Sequence, residues 1–192
     1  MKSLIFATSN KHKLEELKAI LPDYQILGLV DAGIIEEIPE TGDTLEENAI
    51  IKAQYLFDKT GWPSFAEDTG LEVTALAGAP GVHTARYAGD QRDPEANMDL
   101  LLQNLKNSAN RSARFRTVIA YISDQGTMLF EGQVRGHIAL EKSGNGGFGY
   151  DPVFIPDGHT KTFAELSKGV KNNISHRARA VQSLMIYLHQ HI

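Results

Sequence analysis

The chain predicts an α/β fold, a mixed β-sheet with helices packed around it, and the order of its hydrophobic patterns carries that prediction. A short apolar run at Ser3 to Ala7 is followed by two stretches with apolar residues at helical spacing. Alternation of period two then dominates from Arg111 onward, and a last helical stripe closes the chain. Strand, helix, helix, strand, helix, several strands and a final helix are packed most economically as one mixed sheet with helical cover.

Length and composition bound the rest. At 192 residues the chain fits a single domain spanning 1–192. A hydrophobic fraction of 42% and a charged fraction of 22% are ordinary for a globular protein. Cysteine is absent, which removes disulfides, thiolate nucleophiles and cysteine metal sites, and fits a reducing compartment. The net charge of -5 argues against a broad nucleic-acid surface and leaves room for a local basic pocket. The first apolar run is too short for a signal peptide, and none approaches the roughly 18 residues of a membrane span. The reading is a cytoplasmic protein with no membrane partner.

Taken in order, Ser3 to Ala7 reads as a buried strand. The polar loop Thr8-Ser9-Asn10-Lys11-His12-Lys13 follows, then a helix with Leu14, Leu17, Ile20 and Leu21 on one face, stopped by Pro22. Such a strand-to-helix loop offers free N–H groups to an anion, although a capped helix start with solvated lysines has the same appearance. Glu40-Thr41-Gly42 lies in an acidic turn. Thr44 and Glu47 have capping-box form and open a helix with Leu45, Ala49, Ala53 and Leu56 inward, Lys52 at the edge of the stripe and Gly61 as the stop.

Phe65-Ala66-Glu67-Asp68-Thr69-Gly70-Leu71 sets two carboxylates between apolar runs. It reads as a strand that ends, turns on Gly70 and resumes, with Asp68 either a turn-forming side chain or a site acid at the sheet rim. A long glycine- and proline-rich loop, Ala75 to Tyr87, precedes a helix capped at Asp93-Pro94 with Met98, Leu101, Leu102 and Leu105 inward. Ala113, Phe115, Thr117, Ile119 and Tyr121 mark a strand. Asp124-Gln125-Gly126 reads as a hairpin turn into Met128 to Phe130, and Val134 to Leu140 continues the meander.

Gly144-Asn145-Gly146-Gly147-Phe148-Gly149-Tyr150-Asp151-Pro152 is dense in glycine. It suits close approach to a ligand, with Phe148 and Tyr150 as rings against a flat group, or else a bulged hairpin. It is neither a GxGxxG turn nor a Walker loop. Lys161 to Leu166 holds a second capping box and a short helix. Ser175 reads as the N-cap of the final helix, which carries Ala178, Val181, Leu184, Met185 and Leu188. His176 and Arg177 therefore occupy its first turn, where the helix dipole disfavours cations, so a bound acceptor or an acidic neighbour is called for.

Together these segments resemble the inosine triphosphate pyrophosphatase family. The matching pieces are Thr8 to Lys13, Glu40-Thr41-Gly42, Glu47-Asn48-Ala49 with Lys52-Ala53, Asp68-Thr69-Gly70-Leu71, Gly78-Ala79-Pro80-Gly81 with Ala85-Arg86-Tyr87, Gly146 to Pro152, and Ser175-His176-Arg177. Each is weak alone, and their order over nearly the whole chain is specific. The resemblance implies a long mixed sheet in two lobes with the active site in the cleft between them. It implies Mg²⁺-dependent hydrolysis of dITP, ITP and XTP to monophosphate and pyrophosphate, by a homodimer. By the same resemblance Thr8, Ser9, Asn10, Lys11, His12, Lys13 and Lys52 meet the triphosphate. Asp68 serves the metal and the attacking water, and Glu40 is a further metal-linked acid. Thr69, Phe148, Gly149, Tyr150, Asp151, Lys171, His176 and Arg177 match substrate-binding positions. Glu67-Asp68-Thr69 stands where many members carry Asp-Asp-Ser, so a role for Glu67 as a second metal acid is the weakest transfer.

The residue types suit that chemistry without the name. A triphosphate needs cations and positioning, which Lys11, Lys13 and Lys52 can supply. Mg²⁺ takes oxygen ligands, and Asp68 with Glu40 or Glu67 offers them. Donors from His176 or Arg177 to a 6-keto oxygen would reject the amino group of adenine. A nucleotide-binding module without catalysis, or a Mg²⁺-dependent phosphatase releasing orthophosphate, would use the same residues.

Overall fold

The computed structural model describes residues 2–8, 10–36 and 38–191. Strand β1 (Lys2–Phe6) leads into helix α1 (Lys11–Ile20), whose cap Asn10 accepts from the N–H groups of His12 and Lys13 at 3.0 and 3.3 Å. Strand β2 (Tyr24–Leu27) follows, and then helix α2 (Leu45–Thr60). The α2 capping box forms between Thr44 and Glu47, and Gly61 ends the helix in the left-handed region at φ 68°. Next come β3 (Ser64–Val73), the short β4 (Pro80–Gly81) and α3 (Pro94–Asn104), capped by Asp93. Strands β5 (Ser112–Ser123) and β6 (Gly126–Ile138) precede β7 (Phe154–Pro156) and helices α4 (Lys168–Ile174) and α5 (His176–His191).

The strands form one seven-stranded sheet in the order β2-β1-β3-β5-β6-β7, with β4 paired to β3. It is mixed: β1 runs parallel to β2 and β3, whereas β3–β4 and β6–β7 are antiparallel. The chain divides into two compact units, each assembled from separated segments. Unit 1 comprises Met1–Asp68, Thr117–Gly132 and Arg177–Ile192, and unit 2 comprises Thr69–Arg116 and Gln133–His176.

Each unit has its own core. In unit 1, Leu4 and Phe6 of β1, Phe65 of β3 and Ile119 and Tyr121 of β5 pack with Leu17 of α1 and Ala180, Val181, Leu184 and Leu188 of α5. Phe6 and Phe65, paired in register, stack with centroids 4.9 Å apart. In unit 2, Leu71 and Val73 of β3, Phe115, Val134 and Ile138 pack with Met98 and Leu101 of α3, its C-cap Leu105, and Tyr150, Phe154 and Phe163. No helix among the described residues is long and apolar enough to cross a membrane.

Several readings of the sequence are corrected. The turn at Gly70 does not exist: β3 runs unbroken from Ser64 to Val73. Asp-x-Gly chemistry points to a turn locally, but the strand is buried on both faces, and ladder pairing outweighs that preference. The segments expected as separate strands at Met128–Phe130 and Val134–Leu140 are one strand, β6. β2 leaves no strand pattern in the sequence, because only Ile26 of its residues is buried. Thr162 and Glu165 do form a capping contact, Glu165 Oε2 accepting from Thr162 N at 2.8 Å, but the chain there is a turn and not a helix. α4 was missed because Gly169, Asn172 and Asn173 are poor helix formers. Ser175 stands directly before α5, at the position expected for its cap, and also closes α4 as its C-cap.

Gly136 of β6 lies opposite Pro156, and a Cβ there would stand 2.2 Å from the Ile155 carbonyl oxygen. Gly136→Ala is therefore expected to lower stability by about 1–3 kcal/mol in denaturant unfolding. An unchanged midpoint would contradict this close strand approach.

Candidate active site

Glu67 and Asp68 are consecutive residues of β3, so their side chains leave the strand on opposite faces. That alternation puts them in two environments. Glu67 meets α1 and α5. Its oxygens accept from Arg177 Nε and Nη2, each at 2.7 Å, and Lys13 Nζ lies 3.1 Å from Oε1. Arg177 Nη1 also donates to Glu16 of α1. Arg177 and Glu67 are each only 1% exposed. Burial alone would favour the neutral acid, but the charges of Arg177 and Lys13 outweigh it and hold the Glu67 carboxyl well below the usual carboxylate range. Arg177 is held correspondingly more firmly charged, its own burial being outweighed by Glu67 and Glu16.

Asp68 meets α2. Its Oδ1 lies 3.2 Å from Lys52 Nζ, and its Oδ2 accepts from Asn48 Nδ2 at 3.3 Å. Lys52 Nζ also donates to Glu40 Oε1 at 2.6 Å, and Asn48 Oδ1 accepts from Gly42 N at 2.8 Å. Asn48 and Lys52 are four residues apart, on one face of α2. Burial raises the Asp68 pKa; Lys52 and Lys13 pull it down, Glu40 adds to the rise, and the net direction is up from 3.8. For Lys52 the burial that would lower its pKa is outweighed by Asp68 and Glu40. The two adjacent carboxylates are thus shifted in opposite directions by their surroundings, Glu67 down and Asp68 up.

Among the described residues no group of three His, Asp or Glu side chains stands at metal-binding spacing. Asp68 and Glu40 nonetheless bring carboxylate oxygens to one point, the Nζ of Lys52. A hard oxygen pair of this kind fits Mg²⁺, which commonly takes one or two protein carboxylates and completes its shell with phosphate oxygens and waters. Glu67, expected as a second metal acid, is engaged instead by Arg177 and Lys13 and does not fit that role.

The first loop is only partly drawn into this group. Lys13 is, through Glu67, while Asn10 is spent as a cap, with Thr8 Oγ1 accepting from its N–H at 3.1 Å. Lys11 and His12 are exposed in the first turn of α1. Ser9 lies outside the described residues.

A second group lies in unit 2. The glycine-rich turn is not a bulged hairpin. It folds back on the Ala164 segment, with Gly146 N donating to Ala164 O at 3.1 Å. Asp151 Oδ2 organises it, accepting from Phe148 N at 2.7 Å and from Lys171 Nζ at 2.6 Å. At Gly147, φ is 71° and a Cβ would sit 1.9 Å from that same oxygen, so only glycine fits. Lys171, carried by α4, holds its Nζ 4.8 Å from the Phe148 ring centroid. His176 is buried and stacks on Phe115, centroids 4.7 Å apart. Thr69 and Gly149 are half-buried.

Two expected substrate contacts are placed otherwise. Tyr150 is 4% exposed, part of the unit 2 core, and donates through its hydroxyl to Thr84 O at 2.9 Å, so its ring is an anchor and not an open stacking surface. Arg177 has its fork on Glu67 and Glu16, which answers why a cation is tolerated at the start of α5. Asn48 stands in one of the matching pieces without a role of its own there, and nothing in the sequence marks Glu16 or Thr84. Only Asn48 left a signal, its four-residue spacing from Lys52.

Comparison with known proteins agrees with the motif order. A model of the Ham1 family matches residues 4–187. The chain belongs to the Ham1 family. Among its relatives, a Porphyromonas gingivalis protein named dITP/XTP pyrophosphatase is 54% identical over 190 residues, 98% of each chain. A Bacillus licheniformis protein of the same name is 47% identical over 99% of this chain and 100% of its own. The solved Staphylococcus aureus Ham1 protein superposes with a TM-score of 0.90 at 41% identity, covering 100% of both chains. The mixed sheet with flanking helices is therefore the Ham1 architecture, and the resemblance read from the motifs holds.

For this Ham1 chain the Glu67 assignment has a pH signature. Its folded pKa lies below the ordinary 4.5, so the stability it brings is present above pH 4.5 and lost as the pH falls below it. In metal-free protein, Glu67→Gln is expected to cost about 3–5 kcal/mol at neutral pH, because it leaves a buried guanidinium short of charge. The gap to the wild type should close as the unfolding experiment is moved into acid. A gap independent of pH would contradict the pairing.

Proposed function

We propose that the protein hydrolyses non-standard purine nucleoside triphosphates, dITP, ITP and XTP, to the monophosphate and pyrophosphate. The observation that carries the reading is Asp68, a buried carboxyl with a raised pKa held between Lys52 and Asn48, in a chain 54% identical to a dITP/XTP pyrophosphatase. In this proposal the unit 1 group acts on the phosphates. Lys52 and Lys13, both resting on carboxylates, are cations that phosphate oxygens can recruit. Asp68 accepts the proton of the attacking water, for which an upward shift is the useful direction. Asn48 holds the second Asp68 oxygen and so fixes its rotamer. Asp68 and Glu40 are the residues that would hold Mg²⁺. That ion, when bound, neutralises charge on the phosphates and draws electron density from the bond that breaks.

The unit 2 group acts on the base. Phe148 offers a ring, and Lys171 and His176 offer donors suited to a 6-keto oxygen, where the amino group of adenine would leave them unsatisfied. Arg177 supports the site from within, through Glu67. Catalysis in the cytoplasm by a homodimer belongs to the same proposal, on the strength of the family resemblance.

The test is to incubate the protein with dITP, XTP and dATP in the presence of Mg²⁺ and identify the product. Pyrophosphate from dITP and XTP with little from dATP is expected, and light scattering of the same preparation should give twice the 21.1 kDa chain mass. Orthophosphate would make the protein a phosphatase, and binding without product a sensor. Asp68→Asn should retain fold and nucleotide binding but lose about two or more orders of magnitude in turnover. Near-normal turnover in that variant would overturn the assignment.

A further inference from the structure

The segment from Thr74 to Arg92, between β3 and α3, is long, and apart from β4 it has only short helical turns. Loops of that length need internal ties or they are mobile. Backbone bonds tie it to the end of β3, Val73 N donating to Ala79 O at 3.2 Å and Gly78 N to Val73 O at 3.0 Å, and one side chain adds a further tie. Leu71 of β3 pairs with Gly81 of β4, but the Leu71 N–H donates to Thr84 Oγ1 at 2.8 Å, and that hydroxyl donates to Gly81 O at 2.6 Å. The Thr84 hydroxyl is thus inserted as a relay between the N–H of one strand and the carbonyl of the other. Only a group that accepts and donates at once can fill that position. On its main-chain side, Thr84 O accepts from the Tyr150 hydroxyl at 2.9 Å.

Thr84 therefore links the β3 backbone to Tyr150 through its two ends, the hydroxyl on Leu71 and the main-chain carbonyl on the Tyr150 hydroxyl. Tyr150 lies between Gly149, at φ 61°, and Asp151, whose carboxylate sets both Phe148 and Lys171. The Tyr150 ring is buried, and burial with the neighbouring Tyr87 keeps its phenol protonated, so it stays a donor. Asn97 of α3 holds the other side of the segment, donating to Ala85 O at 3.0 Å and accepting from Ala88 N at 2.7 Å. The backbone around Thr84 is thereby held on that side, and the Thr84 hydroxyl adds the side-chain tie to β3 beside the β3–β4 pairing.

We propose that Thr84 is a positioning residue that registers the glycine-rich turn against the end of β3 and thereby sets selectivity for the purine base. This rests on the assignment of that turn to the base. Thr84 need not touch the substrate. It acts through Tyr150, and a slip of the turn would move Phe148, Asp151 and Lys171 as a group.

The experiment compares wild type, Thr84→Val, Thr84→Ser and Tyr150→Phe by steady-state kinetics with dITP and dATP, and by amide hydrogen exchange over residues 146–151. Thr84→Val should raise KM for dITP about tenfold while kcat changes by less than about threefold, narrow the dITP-to-dATP ratio of kcat/KM, and speed exchange in the turn. Thr84→Ser, which keeps the relay, should restore all three. Tyr150→Phe cuts the same chain at its far end and should move KM and exchange in the same direction, so the test stays decisive if the valine variant folds poorly. Wild-type KM and exchange in both Thr84→Val and Tyr150→Phe would overturn the proposal, as would a loss confined to kcat. If the wild type releases no pyrophosphate from dITP, the reading of function has failed, and the exchange data still decide whether Thr84 sets the turn.

Discussion

A guanidinium with almost no exposure to water must be matched by charge, and in this protein that requirement fixes the geometry around Asp68. Arg177 stands at the start of α5, where the helix dipole offers it nothing, and is neutralised by Glu67 of β3 and Glu16 of α1. Three elements distant in sequence are tied at one point. Removing either partner would strand a charge in a medium that cannot solvate it. The pair is costly to form and so is specific: it permits one register of β3 against the two helices. Asp68 is the next residue, facing the other way, and inherits that register.

The alternation of a single strand then separates two chemistries. On one face cations hold Glu67 ionised. On the other, burial and the nearby Glu40 raise the Asp68 pKa, with Lys52 and Lys13 pulling against them. One backbone feature, the two-residue period of a strand, places neighbouring carboxylates in opposite electrostatic surroundings. Lys52, shared between Asp68 and Glu40, completes the group that the Ham1 relatives' names make intelligible.

Legibility in the sequence followed the range of the interactions involved. Features decided within a few residues were read correctly: the Thr44–Glu47 box, the Gly61 stop, the Asp93 cap and the alternation of β5. Features decided by tertiary contacts were not. Gly70 carries turn chemistry but lies inside a buried strand, and Tyr150 resembles a ligand-facing aromatic but faces a core. Of the candidate site, Asp68, Glu40 and Lys52 stand out in the sequence and are brought together, while Lys13 pairs with Glu67. Glu16 and Thr84 do not stand out, because nothing local distinguishes an acid on a helix surface or a threonine in a loop until the partner arrives from far along the chain. Arg177 was the instructive case: its unfavourable position was legible, and the acid that explains it was already in hand at Glu67, but their contact was not.

If the Glu67–Arg177 pair holds Asp68 in place, the two residues must act as a unit. A double-mutant cycle with Glu67→Gln and Arg177→Met, read by both unfolding free energy and dITP turnover, tests it most directly. Each single change should destabilise strongly, while the double change, which removes both charges together, should recover more than about 1 kcal/mol relative to the sum and still turn over dITP poorly. Additive losses in stability, or a double variant with wild-type turnover, would contradict it.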